Sequence, residues 1–207
     1  MSPVVTFWLE FASTYTYPAV MRAEAEAAKR GVALIWRPLL LGPIFKNQGM
    51  NTSPFNLFPG RGRYMIRDME RICGALEIAF KLPDPFPQNS LLAARCATAL
   101  AVEDRPAFVR EAFTMAFGEG AQISEPDVMR EALKRVVQDA DAVIARAQSD
   151  EVKGALRAAT EEAEKAGVFG APTFVCADGE VFWGNDRLEA ALDWAKDHAP
   201  KERLGAI

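Results

Sequence analysis

The stretch from Pro3 to Leu40 constrains the fold more than any other part of the chain. Residues 3–9, Pro-Val-Val-Thr-Phe-Trp-Leu, form a short apolar run rich in β-branched and aromatic residues, as a buried strand requires. Glu10-Phe11-Ala12-Ser13-Thr14 breaks that run. From Tyr15 to Arg30 the chain turns to Ala, Glu, Lys and Arg, which favour helix. Ser13 or Thr14 is placed to cap it, and Pro18 is tolerable because it falls in the first turn. Gly31 follows as a helix-ending residue, and Val32 to Leu40 read as a second strand. Two strands joined by a helix make a crossover unit, and a crossover implies parallel strands.

The middle of the chain differs. Residues 41–62 are rich in Gly, Pro and Asn and read as a long loop. From Arg63 to about Lys165 the pattern is helical, interrupted by Pro83-Asp84-Pro85-Phe86-Pro87. Helix starts are visible at Ser90, Ser124-Glu125-Pro126 and Ser149-Asp150. After Gly167 strands return. Pro172 to Cys176 and Glu180 to Trp183 flank Ala177-Asp178-Gly179, a hairpin signature. Asn185 or Asp186 then caps a last helix running to about His198. The order βαβ, helical block, ββα predicts an α/β fold: a thioredoxin-like βαβ–ββα domain, with an all-helical domain inserted in its middle. The boundaries are 1–42 and 167–207 for the first and 43–166 for the second.

Composition excludes several functions. The net charge is -4 over 207 residues with both signs dispersed, so no basic block points to nucleic acid. No apolar run approaches the ~20 residues of a membrane span, and the N-terminus lacks the pattern of a signal peptide, so a cytoplasmic location is expected. The three cysteines, Cys73, Cys96 and Cys176, form no CxxC pair, and with a single histidine no metal site is expected.

Three segments could carry chemistry. Ser13, between the first strand and first helix, faces a helix N-terminus, which favours negative charge. A cysteine there would be redox-active. A serine is either a simple cap or a hydrogen-bond donor to an external thiolate. A free thiol of pKa ~8.5 is about 3% ionised at pH 7, and lowering it by ~2 units makes it about three-quarters ionised. The second segment, Gly167 to Thr173, contains Ala171-Pro172. The Pro is either an edge or turn feature, or a cis residue that frees the backbone of Ala171 for strand-style pairing with a peptide-like ligand. The third, Trp183 to Leu188, opens the last helix. Asn185 and Asp186 are caps there, or they hold a carboxylate and an ammonium group.

Taken together, these segments resemble the 2-hydroxychromene-2-carboxylate isomerases and the related kappa-class glutathione transferases of the DsbA-like thioredoxin superfamily. Phe7 to Tyr17 resembles the family's strand–Asp–x–x–Ser–Pro–Tyr/Phe–Ser–Tyr opening. Phe169-Gly170-Ala171-Pro172-Thr173 is similar to its Phe-Gly-x-Pro segment, and Trp183 to Leu188 is close to its Trp-Gly-Asn-Asp-Arg-Leu motif. Gly42 to Lys46 and Phe86-Pro87-Gln88-Asn89-Ser90 are also familial. Thr14 replaces the usual Pro, Glu10 stands near the usual Asp, Thr16 replaces Ser, and Pro18 lies where Leu is more frequent.

The resemblance implies glutathione as cofactor, with Ser13 on its sulfur and Thr14 and Tyr15 next in the pocket. It implies Asn51 in a loop reaching glutathione, Ala171 and Pro172 pairing through the backbone, and Asn185 and Asp186 at the γ-glutamyl end. Lys46 is the candidate for a substrate carboxylate, or an ordinary surface lysine, and Asn89 is a further candidate substrate contact. A small aromatic substrate and a homodimer are implied as partners. The activity implied is a glutathione-dependent isomerase that interconverts 2-hydroxychromene-2-carboxylate and trans-o-hydroxybenzylidenepyruvate, or acts on a related substrate of aromatic catabolism. The alternatives are a glutathione transferase and a non-catalytic glutathione-binding module. A disulfide oxidoreductase fits poorly, because Ser13 and Thr16 occupy both cysteine positions. The Met and Phe residues of the helical block (Met65, Met69, Phe108, Phe113, Met115 and Phe117) read as core.

Overall fold

A computed structural model of the chain describes residues 2–50 and 57–198. Strands β1 (Val4–Leu9), β2 (Ala33–Pro38), β3 (Thr173–Cys176) and β4 (Val181–Trp183) form one sheet in the order β2-β1-β3-β4 among the described residues. β1 runs parallel to β2 and antiparallel to β3, and β3 is antiparallel to β4. The central strand is apolar except for Thr6, because both of its faces are covered. Val5, Phe7 and Leu9 point to one side, where helices α1 (Thr16–Arg30) and α9 (Leu188–Asp197) pack. Phe7 pairs with Trp36 and with Phe174, its ring 4.9 and 4.8 Å from theirs. Trp8 points to the other side and is buried with Leu39, Ile44, Ala163 and Val168. Helices α2 (Leu41–Asn47) and α8 (Asp150–Lys165) supply that second cover.

Helix α1 buries Ala19, Val20, Ala23 and Ala27 and ends at Gly31, whose φ of 66° suits glycine. Its start corrects the capping expectation. Tyr15 is the cap residue, and neither Ser13 nor Thr14 gives a side-chain bond to the helix. Segment 41–62 is also corrected, because it is not one loop. Leu41–Asn47 is helical, and α3 (Pro59–Ala75) begins at Pro59. Pro43 and Pro59 both lie in first turns, where a backbone N–H has no helical acceptor and its loss costs nothing.

The remaining α-helices among the described residues are α4 (Leu91–Ala99), α5 (Arg105–Phe113), α6 (Pro126–Lys134) and α7 (Ala140–Ala147), with a π-helical turn over Thr114–Gly118. α4, α6 and α8 begin at the three starts read from the sequence. At the last of these, the Ser149 hydroxyl accepts the Val152 N–H at 3.2 Å.

The helical block and the sheet share one continuous core. Phe11, in the turn after β1, stacks on Phe113 at 5.2 Å and meets Phe108 at 6.2 Å. Tyr17 of α1 meets Phe117 at 5.9 Å. Met65, Met69, Phe108, Phe113, Met115 and Phe117 are all buried in that core, and each such side chain stabilises the fold by roughly 1.5–3 kcal/mol. No described helix is long and apolar enough to cross a membrane.

Candidate active site

The turn from Glu10 to Ser13 is fixed from below by Phe11 and from within by main-chain bonds. The Ser13 N–H donates to the Glu10 carbonyl at 3.1 Å, and the Thr16 N–H donates to the Ser13 carbonyl at 3.2 Å. This sets Ser13 at the mouth of α1, half-buried, with its hydroxyl free to leave the helix axis. The hydroxyl donates to the carbonyl of Ala171 at 2.8 Å. The Ala171–Pro172 peptide is cis. In this structure the Ala171 carbonyl accepts the Ser13 hydroxyl, and that hydroxyl must turn away before it donates to another partner.

The wall around Ala171 is tightly built. Thr173 Oγ1 donates to the Gly170 carbonyl at 2.8 Å, and the Gly184 N–H donates to the Pro172 carbonyl at 2.9 Å. A Cβ on Gly170 would lie 2.5 Å from Nε1 of Trp183, so only glycine permits that indole to lie against the loop. Trp183 in turn packs on Phe169, ring to ring at 5.0 Å, and both stay about half exposed.

Ser13 opens into a cleft of about 760 Å³. That size suits a small-molecule site. Its walls are mostly apolar and include Phe45, Met50, Phe58, Phe169 and Trp183. Its charged members are Lys46 and Arg61, both exposed, and Glu10, which is buried. Burial pushes the Glu10 carboxyl from the ordinary 4.5 up to about 7, although the Ser90 hydroxyl and the Ala12 N–H act in the opposite direction. Tyr15 also lines the cleft and donates its hydroxyl to Asp68 Oδ2 at 3.0 Å. Burial, then that carboxylate, raises the phenol above its usual range, so Tyr15 stays a neutral donor.

The other sequence candidates fall as follows. Thr14 is buried under the turn, and its hydroxyl has no partner among the described residues. Lys46 lines the cleft from α2. Asn89 is exposed, stands outside the cleft lining, and accepts the Leu91 N–H at 3.0 Å at the start of α4. Asn51 lies outside the described residues.

Asn185 and Asp186 open a 3₁₀ turn (Asn185–Arg187), and neither gives a side-chain cap, which corrects that expectation. Asn185 is instead buried and clasped by Arg22 of α1. Arg22 Nη2 donates to its carbonyl and, at 3.1 Å, to its Oδ1, while Nη1 pairs with Glu189. Asp186 is exposed beside Arg187. The cysteines stand elsewhere. Cys73, Cys96 and Cys176 are all buried, and burial raises their thiols to about 11, 12 and 11.

Sequence reasoning missed Arg22, Arg61 and Gln88, and it noted Glu10 only as a departure from a pattern. Nothing in one sequence separates Arg22 from the other charges of α1. Gln88 had a faint signal, a polar residue in a Pro-rich break; its side chain accepts the Ile123 N–H at 2.6 Å and donates to the Ala121 carbonyl at 2.8 Å.

Residues 4–194 match the family described as the DSBA-like thioredoxin domain. A 2-hydroxychromene-2-carboxylate isomerase of Sphingobium xenophagum is 30% identical over 193 residues, covering 91% of this chain and 96% of that protein. The chain belongs to the 2-hydroxychromene-2-carboxylate isomerase family of DSBA-like thioredoxin domains. Glutathione S-transferase kappa 1 of Homo sapiens is 29% identical over 168 residues, 74% of this chain and 73% of that one. A solved 2-hydroxychromene-2-carboxylate isomerase superposes with a TM-score of 0.80 at 26% identity, covering 94% of each chain. A probable DsbA oxidoreductase from Streptomyces coelicolor shares the fold at a TM-score of 0.74 and 18% identity, covering 99% and 93%.

Proposed function

We propose that the protein is a glutathione-dependent isomerase that interconverts 2-hydroxychromene-2-carboxylate and trans-o-hydroxybenzylidenepyruvate, or a related conjugated aromatic acid. One observation carries this reading: the Ser13 hydroxyl stands at the mouth of α1 and donates to the Ala171 carbonyl, inside an apolar cleft to which no cysteine contributes. A site of thioredoxin type without a cysteine of its own is suited to a thiol brought from outside.

The donor set fits glutathione. Ser13 offers a hydroxyl that can turn from a neutral carbonyl to an anion, and a charge-assisted bond is the stronger of the two. The N-terminus of α1 adds favourable potential for a negative group. The backbone at Ala171 suits the cysteinyl unit, and the Asn185–Asp186 turn, held by Arg22, suits the γ-glutamyl end. Lys46 and Arg61 complement carboxylates, and Lys46 is assigned to that of the substrate. When bound, glutathione supplies a thiolate that adds to a conjugated carbon and leaves again, so that rotation takes place about a single bond. Ser13 holds the sulfur, Tyr15 remains a neutral donor, and the aromatic walls at Phe45, Phe58, Phe169 and Trp183 exclude water and orient a planar ring.

Incubation of the purified protein with the chromene and glutathione tests the reading. Ultraviolet conversion of chromene to the pyruvate is expected, in proportion to glutathione and with no glutathione consumed. Conversion indifferent to glutathione would refute it. Accumulation of a stable conjugate instead would make the protein a transferase, and tight glutathione binding without turnover would make it a binding module.

A further inference from the structure

Among the described residues, Glu10 is the only acidic side chain that is buried, at 5% exposure, and it lines the same cleft as Ser13. A buried carboxylate is costly unless a cation or a full set of donors compensates it. Glu10 has no cation against it. Its Oε2 accepts the Ala12 N–H at 2.8 Å, its Oε1 is bonded to the Ser90 hydroxyl, and the Ser13 N–H also favours the charged form. All three partners are neutral, and burial outweighs them. A hydroxyl donates to a carboxylate but accepts from a carboxylic acid, so the Ser90 contact survives in either protonation state. Glu10 is built to gain or lose a proton without moving.

The charged groups that share its cleft are few. Lys46 comes from α2 and Arg61 from α3, both open to water, which screens them. Asp68 of α3 is engaged by the Tyr15 hydroxyl. The sides formed by Pro87, Gln88 and Ser90, by residues 169–171 and by Trp183 carry no charge, and neither do Phe108 and Phe113 of α5 behind the turn.

Resting on the glutathione reading above, we propose that Glu10 is the proton acceptor of this site, taking the proton of the thiol that binds at Ser13. The S–H bond breaks, an O–H bond forms on the Glu10 carboxyl, and the electron pair stays on sulfur. The cleft's net charge does not change. One negative charge moves from a buried carboxylate to a sulfur that faces the Ser13 hydroxyl and the N-terminus of α1. Two negative charges in one low-dielectric cleft oppose each other, so carboxyl and thiol titrate as a pair that holds one proton. An upward-shifted carboxyl near 7 agrees with such a role. On release of the sulfur from the site, Glu10 returns the same proton.

The test counts protons. Wild-type protein is mixed with glutathione at about pH 7.5 in weak buffer, with an indicator dye for released protons and the ultraviolet thiolate band for ionised sulfur. A free thiol is about nine-tenths protonated there, so ionisation into water would release roughly one proton per thiolate. Wild type is expected to form thiolate while releasing less than about a quarter of a proton. Glu10→Gln keeps the shape and the contacts to Ala12 and Ser90, and is expected to raise the release to roughly one per thiolate. Glu10→Asp restores a carboxyl and is expected to bring it back towards zero. Release of one proton per thiolate by wild type overturns the proposal and leaves glutathione binding intact, and it needs no variant to fold. Absence of any thiolate signal in wild type overturns the glutathione reading, and this proposal with it.

Discussion

Ser13 and Ala171 lie 158 positions apart in the chain, yet the hydroxyl of the first donates to the carbonyl of the second at 2.8 Å. The bond closes the first βα turn against the loop before β3, and it holds a donor in reserve. A ligand that draws the hydroxyl away must offer a better acceptor than a neutral carbonyl. A thiolate does, because hydrogen bonds to charged groups contribute about 1.5–3 kcal/mol against about 1 for neutral ones.

Ser13→Ala removes that donor. One pKa unit corresponds to about 1.4 kcal/mol, so the bound thiol is expected to rise by about 1–2 units. At neutral pH the catalytic efficiency kcat/KM should fall by about 10–100-fold, with little change in melting temperature. Ultraviolet titration of the bound thiol measures the shift directly. An unchanged thiol pKa would return Ser13 to a purely structural place.

Arg22 is not in the cleft lining, but it clasps the buried Asn185 and pairs with Glu189. Arg22→Met keeps most of the stem and removes the clasp. The KM for glutathione is expected to rise about tenfold, equivalent to about 1.4 kcal/mol, while kcat stays within about twofold. Steady-state kinetics at saturating chromene separates the two. A fall in kcat at constant KM would place Arg22 in the chemical step instead.

Glu10 makes folding depend on pH. Its carboxyl ionises near 4.5 when exposed and near 7 in the folded chain. Between those values the folded state binds more protons, so its stability declines as pH rises through that window. The Glu10 contribution is fully present below pH 4.5 and lost above about 7. Glu10→Gln cannot ionise and should escape the loss. Its advantage over wild type is expected to open across that window to about 3 kcal/mol. Urea unfolding of both proteins at a series of pH values checks it. A constant difference across the series would show that Glu10 does not titrate there.

The cysteines should be inert. Thiolate is the reactive form, and burial raises all three thiols far above neutrality. Iodoacetamide at neutral pH is expected to leave native protein unmodified by mass spectrometry and its activity unchanged. In urea it should add three groups, one per cysteine. Rapid alkylation of one native cysteine with loss of turnover would bring a protein thiol back into the mechanism.

The fold was legible where the rule is local. The apolar run of β1, the helix-ending Gly31 and the Asp178-Gly179 turn each state their structure within a few residues. Pro43 and Pro59 misled because the same residue breaks a helix inside and begins one at the first turn. The site was half legible. Ser13 and Pro172 follow from turn chemistry, but their bond spans the chain. Arg22 and Gln88 act through contacts with Asn185 and Ile123 that no local pattern encodes. Ser13 and Thr14 looked like caps because their side chains favour that place; the cap position passed to Tyr15, and the Ser13 hydroxyl went to the opposite loop.

Phe11 sits two residues before Ser13 and is locked between Phe108 and Phe113 of the helical block. The position of the candidate nucleophile-binding hydroxyl is thus dictated by helices far along the chain. Anyone who transplants this site onto a smaller scaffold must carry α5 with it, because a bare Phe11 would leave the turn without its anchor. Conversely, changes in the volume of the α5 side chains offer a handle for shifting Ser13 by fractions of an ångström without touching the cleft itself.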